Sequence, residues 1–181
     1  MKKLTLLLFF AAACGPPWAI VVQSGPPSAA AGAPQITYAA DFQQLIMDGV
    51  PIGNLLAAES PNEQANIQQA FAEMDQEFFN QLSSRSNTPL VPAQGPPQPN
   101  EVRLTGIYVD IQRGSRGPRG APSSLVMRFS VSVGGQVVDE VEMSRRVAPS
   151  ITRPAPGRRL KGCAAQLGSY AARFVNQLQG A

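Results

Sequence analysis

The sequence predicts an α+β domain: a small antiparallel sheet of three to four strands with two amphipathic helices packed on one face. Three observations lead there. Two long segments, about 61–84 and 158–178, carry apolar residues at helical spacing. Residues 102–111 and 125–143 alternate apolar and polar side chains, the period of a strand. The Gly134-Gly135 pair splits the second of these into a hairpin. Helices laid on one face of such a sheet bury all the apolar stripes in a single two-layer packing.

Taken in order, Ile36-Thr37-Tyr38-Ala39 reads as a short strand. Asp41-Phe42-Gln43-Gln44 has the form of a capping box and predicts a short helix over 42–48, stopped by Gly49. Residues 50–59 are apolar without a period. The first long helix starts with Ser60 as N-cap, Pro61 at the first helical position and Glu63 completing Ser-x-x-Glu. Ile67, Phe71, Met74, Phe78 and Leu82 then form one stripe. Glu73, Gln76, Glu77 and Asn80 form the opposite face, and Glu73 and Glu77 read as solvated acids rather than metal ligands.

Residues 86–100 hold five prolines and read as a proline-rich connector. In the strand that follows, Val102 and Leu104 share one face while Ile107, Val109 and Ile111 share the other, which predicts a bulge at Gly106. In the hairpin, a two-residue turn would place Glu140 and Glu142 on the apolar face. A three-residue loop instead pairs Val133 with Val137, Phe129 with Val141 and Met127 with Met143, and sets Arg128 opposite Glu142; this register is expected. In the last helix Leu160, Ala164, Leu167, Ala171, Phe174 and Leu178 form the stripe. Ala164, Gly168 and Ala172 make a small-residue row suited to close approach of the backbone to a sheet.

The domain organisation is a signal peptide at 1–13, a Pro/Gly/Ala-rich tether at 14–34, and a single α+β domain at 35–181. Lys2 and Lys3 precede an apolar run from Leu4 to Ala13. Ten helical residues reach about 15 Å, half a bilayer core, so the run is an export signal rather than a span. Trp18 in the tether is suited to a lipid interface or to an unpacked position.

The net charge of +3 loses Lys2 and Lys3 with the signal, leaving +1. Residues 35–100 hold seven acids and one base, and residues 101–181 five acids and twelve bases, so the two halves can neutralise each other in the fold. There is no histidine, which excludes a Ser-His-Asp triad, a Cys-His pair and His-containing zinc or iron sites. Lys161 is the only lysine after the signal and lies on a basic turn, which argues against serine-lysine catalysis. No catalytic residue, metal site or cofactor is expected, and the chain reads as a non-enzyme. A near-neutral mature chain without an aromatic platform beside its arginines is not expected to bind nucleic acid.

Six residues are candidates for anion binding. Arg113, Arg116 and Arg119 recur every three residues in Arg-Gly-Ser-Arg-Gly-Pro-Arg-Gly, and polyproline II would align their guanidinium groups along one side. Arg158, Arg159 and Lys161 stand in the first turn of the last helix, where cations oppose the helix dipole; they suit an anion, or the acidic face of the first long helix.

Ala11-Ala12-Ala13-Cys14 resembles the lipobox of bacterial lipoproteins, with Ala11 where leucine is usual. The resemblance implies that Cys14 becomes an acylated (palmitate-bearing) N-terminus, and Gly15 after it implies the outer membrane, facing the periplasm. Ala11-x-Ala13 also fits ordinary signal peptidase; the domain would then be soluble in the periplasm and a Cys14–Cys163 disulfide would be open to it. Together with residues 102–119, 125–143 and the Ala164 to Leu178 helix, the layout is similar to short bacterial envelope lipoproteins of unknown function over about half the chain. It is also similar to accessory lipoproteins of envelope lipid-transport systems. The expected function is a binding or assembly factor, with a membrane through the lipid anchor and an envelope protein as partners; the alternative is a lipid-transport accessory subunit.

Overall fold

The computed structural model describes residues 17–23, 28–153 and 155–180. Eight strands form one mixed sheet: β1 (Ala19–Val22), β2 (Ile36–Asp41), β3 (Ile46–Met47), β4 (Val50–Pro51), β5 (Leu90–Pro92), β6 (Val102–Gln112), β7 (Ser123–Val133) and β8 (Gln136–Val147). Three helices join them: α1 (Ile52–Ala58), α2 (Pro61–Arg85) and α3 (Pro156–Leu178). The strand order is β1-β8-β7-β6-β2-β5, with β3 paired to both β4 and β6. The meander β6-β7-β8 is antiparallel, and β2 runs parallel to both β6 and β5. This corrects the expected three- to four-stranded antiparallel sheet with two helices: the sheet has eight strands, is mixed in direction, and is accompanied by a third helix. The added strands, β1, β3, β4 and β5, have two to four residues, too few to show a period, and β1 and β5 lie in segments rich in proline.

α2 and α3 pack side by side, and both bury their apolar stripes in one core with the sheet. α2 starts as expected, with Ser60 Oγ accepting from the Glu63 N–H at 3.4 Å. Phe78 of α2 stacks on Phe129 of β7 at 5.1 Å between ring centroids, and Phe42 stacks on Phe71 at 5.1 Å. The row Ala164, Gly168, Ala172 permits a close approach, but to α2 rather than to the sheet: a Cβ on Gly168 would overlap the backbone carbonyl of Phe78 and sit 3.1 Å from Cβ of Gln81.

The hairpin solves its register differently from the expectation. Gly134 and Gly135 have φ of 58° and 83°, a two-residue turn of the primed kind that suits twisted strands, and Val133 faces Gln136. Ser132 then faces Val137 and Val131 faces Asp139, so Val138 is the extra residue of a bulge. That one residue restores the phase. Phe129 meets Val141, Met127 meets Met143, and Arg128 meets Glu142 across 3.1 Å on the polar face, as the alternation requires. The β6 bulge is likewise displaced, to Val109, and Leu104, Tyr108 and Ile111 are the large apolar residues that the strand buries. Gly106 stays in regular pairing and has another use: a Cβ there would lie 2.8 Å from Tyr38 Oη.

Residues 42–48 are not helical. Asp41 Oδ1 accepts from the Gln43 N–H at 2.8 Å, a local turn, and Ile46-Met47 runs alongside Asp110-Ile111. The helix falls instead at α1, in the stretch without a period. Part of the segment expected to be a tether is packed. β1 pairs with β8, Trp18 meets Phe174 edge-on at 5.8 Å, and Gln179 holds both the Ala30 carbonyl (2.8 Å) and the Gly32 N–H (3.0 Å). The signal peptide and Cys14 lie outside the described residues. No helix among the described residues is long and apolar enough to cross a membrane.

Candidate functional site

The first turn of α3 stands across from the middle of α2, and the turn after β3 reaches the end of β6. Between them is a cleft of about 470 Å³. Its walls are apolar: Ile67, Ala70, Phe71 and Met74 from α2, Met47 from β3, Ile111 from β6, and Pro156 and Leu160 from α3. Three of the six candidate cations, Arg113, Arg158 and Lys161, meet at its rim, with Asn66 and Glu73 as the other polar lining residues.

Each cation is held differently. Arg113 follows β6, and Asp48 receives both its Nε, at 2.5 Å, and its backbone N–H, at 2.8 Å. Asp48 has φ of 48°, a conformation aspartate tolerates, and this aims its carboxylate at Arg113. Lys161 lies 2.8 Å from Glu73, so it reaches the acidic face of α2. Hydrogen bonds from Lys161 first, and from Gln69 second, hold the Glu73 carboxyl below the ordinary glutamate range. Arg158 is exposed and has no carboxylate partner among the described residues. α3 has no side-chain cap and no acid in its first turn.

The other three candidates do not join the cleft. Arg159 is fully buried. Its Nε donates to Ser123 Oγ at 3.0 Å, and its terminal nitrogens donate to the carbonyls of Ser115 (2.8 Å), Arg153 (3.3 Å) and Ala121 (3.4 Å). It therefore staples the 113–122 loop to α3. Arg116 and Arg119 are exposed on that loop. The expected polyproline row does not form, because Gly114 and Gly117 have φ of 70° and 92° and the chain folds back, with Ser115 N–H donating to Ala121.

Sequence reasoning missed a buried polar cluster. Asp75 of α2 accepts hydrogen bonds from Tyr38 of β2 and, at 2.9 Å, from Tyr108 of β6. Burial raises the Asp75 carboxyl above the usual aspartate range, and the two hydroxyls oppose that rise. Burial also pushes both tyrosines well above their ordinary value. Phe71, Asp75 and Phe78 lie at spacings of four and three, so Asp75 stands on the apolar stripe; that spacing was the available signal.

Cys163 is fully buried, and its thiol is pushed up to about 11, mainly by burial. The Cys14→Ser protein, whose one thiol is Cys163, is accordingly expected to resist thiol-reactive dye at pH 8 and to react at once in denaturant. Fast labelling of folded protein would show that the α3 packing described above is wrong. Among the described residues no cluster of three or more histidine, cysteine or acidic groups could hold a metal.

No protein-family model matches the chain, and no curated protein matches it. Among solved structures it is similar to the PelC dodecamer of Paraburkholderia phytofirmans, with a TM-score of 0.45 and 13% identity over 84% of this chain and 97% of that one. It is also similar to a point variant of the same dodecamer, with a TM-score of 0.42 and 13% identity over 86% of this chain and 97% of that one.

Proposed function

We propose that the protein is a non-enzymatic lipoprotein of the bacterial cell envelope, a binding or assembly factor anchored through acylated Cys14 to the outer membrane on its periplasmic side. The observation that supports a binding role is the cleft, which unites an apolar surface with three of the cations singled out from the sequence. Among the described residues its lining contains no hydroxyl or thiol nucleophile, and the one carboxylate there, Glu73, is taken by Lys161. The apolar floor also favours a second reading, an accessory subunit of an envelope lipid-transport system.

A photo-crosslinking amino acid at Asn66, inside the cleft, is expected to give a discrete adduct in intact cells, and one at Gln136 on the hairpin tip is not. An adduct of protein mass supports the assembly role, and one of lipid mass the transport role. Identical adducts from both positions, or none, would remove the cleft from the function. The intact mass of protein taken from membranes tests the anchor: acyl groups are expected on the wild type and absent from Cys14→Ser. Equal masses would end the lipoprotein reading.

A further inference from the structure

We infer that the cleft binds a single-chain anionic amphiphile, one acyl chain ending in a carboxylate or phosphate. This rests on the reading of the cleft as the working surface and specifies what fills it.

The shape argues for a chain. The α2 residues lining the cleft run from Asn66 to Met74, about 12 Å along the helix axis at 1.5 Å per residue. A cavity of about 470 Å³ lies in the lower part of the range for small-molecule sites, room for one chain rather than the two of a phospholipid. Two of the walls are methionines, Met47 and Met74, whose flexible thioethers adapt to a mobile chain.

The chemistry of the walls argues against a peptide. A peptide backbone brings an N–H and a C=O with every residue, and each costs free energy when buried without a partner. The apolar floor offers none. An acyl chain has no such groups, so the same floor suits it along its whole length.

The rim argues for a negative head. Three cations face two carboxylates, Glu73 in the lining and Asp48 beside Arg113. Arg113 and Lys161 are already paired, with Asp48 and Glu73, while Arg158 is not. An incoming carboxylate or phosphate takes Arg158 first, by a charge-assisted hydrogen bond, and draws on the other two by exchange.

The test uses the unacylated Cys14→Ser chain, kept free of detergent, titrated with dansylated undecanoic acid. Saturable binding is expected, displaced by oleate if the head is a carboxylate and by oleoyl lysophosphatidate if it is a phosphate. Uncharged oleyl alcohol and inorganic phosphate each lack half of the ligand and are expected to compete at least about tenfold more weakly. Arg158→Gln should weaken binding about fivefold to tenfold, the loss of one charge-assisted contact. Ala70 is exposed and lines the cleft, so Ala70→Trp should abolish binding without lowering the melting temperature. No saturable binding, equal competition by oleyl alcohol, or undiminished binding to Ala70→Trp would each overturn the inference. If the Asn66 crosslink still yields a specific protein adduct in that event, the cleft remains the working surface and only its ligand class is wrong.

Discussion

Arg159→Met is expected to destabilise the protein by about 2–4 kcal/mol and to open the 113–122 loop to trypsin. The loss is of hydrogen bonds, since methionine fills much of the same space. Without the guanidinium, the carbonyls of Ser115, Arg153 and Ala121 and the Ser123 hydroxyl lose a donor. An unsatisfied buried acceptor costs about 1–3 kcal/mol. Burying one fewer charge offsets part of this, because a buried ion carries a desolvation penalty of several kcal/mol. The loop also has a cheaper escape than global unfolding: it can lift off α3 and let water satisfy its carbonyls. Trypsin reads that escape directly, because Arg116 and Arg119 sit on the loop. Urea melts and a digestion time course on both proteins suffice. Equal midpoints and equal cleavage rates would mean that Arg159 is not the staple described.

Gly168→Leu is expected to cost more than about 4 kcal/mol, in the exceptional range that gross overpacking of a core reaches. The obstacle is the carbonyl of Phe78, a backbone atom that cannot rotate away, so α2 and α3 must separate along their contact. Gly168→Ala already places the first offending atom and should cost about 2 kcal/mol, despite the ~1 kcal/mol that alanine gains over glycine in helix propensity. Gly162 provides the control. It lies in the same helix, where an added Cβ would meet only Arg153, at 3.6 Å. Gly162→Ala should therefore stabilise, by about 0.5–1 kcal/mol. Similar melting temperatures for the two alanine variants would refute the close helix contact.

The long elements were legible in the sequence because length gives periodicity something to act on. The stripe from Ile67 to Leu82 and the row from Leu160 to Leu178 identify α2 and α3 with ends within two residues. The inner pairs of the hairpin were legible because both faces constrain them. Its turn was not, since Gly134-Gly135 and the alternation conflict unless one residue is left unpaired, and Val138 is that residue. The strands β1, β3 and β5 were hidden by their shortness. Phase likewise hid Tyr108: counting from Ile107 puts it outside, and the bulge at Val109 is what lets both Tyr108 and Ile111 face the core. Of the site, the sequence pointed to Arg113, Arg158 and Lys161 singly. Their convergence depends on the end of β6 lying beside the start of α3, a long-range contact that composition does not encode. Arg159 was grouped with its exposed neighbours, although Arg159, Cys163 and Leu167 lie four apart on the buried side of α3.

The placement of β2 sets the timing of folding. Thr37 of β2 pairs with Arg103, and Ala19 of β1 pairs with Glu142, so the first two strands wait for partners far along the chain. The meander β6-β7-β8 and the α3 that follows it are, by contrast, neighbours in sequence and close short loops. The C-terminal half is therefore the natural nucleus, and the N-terminal strands dock onto a finished edge. Until then the backbone of β1 and β2, with the side chains of Ile36 and Tyr38, is open to any other unpaired strand. An unpaired strand in that interval is a route to aggregation, which docking onto the meander then closes.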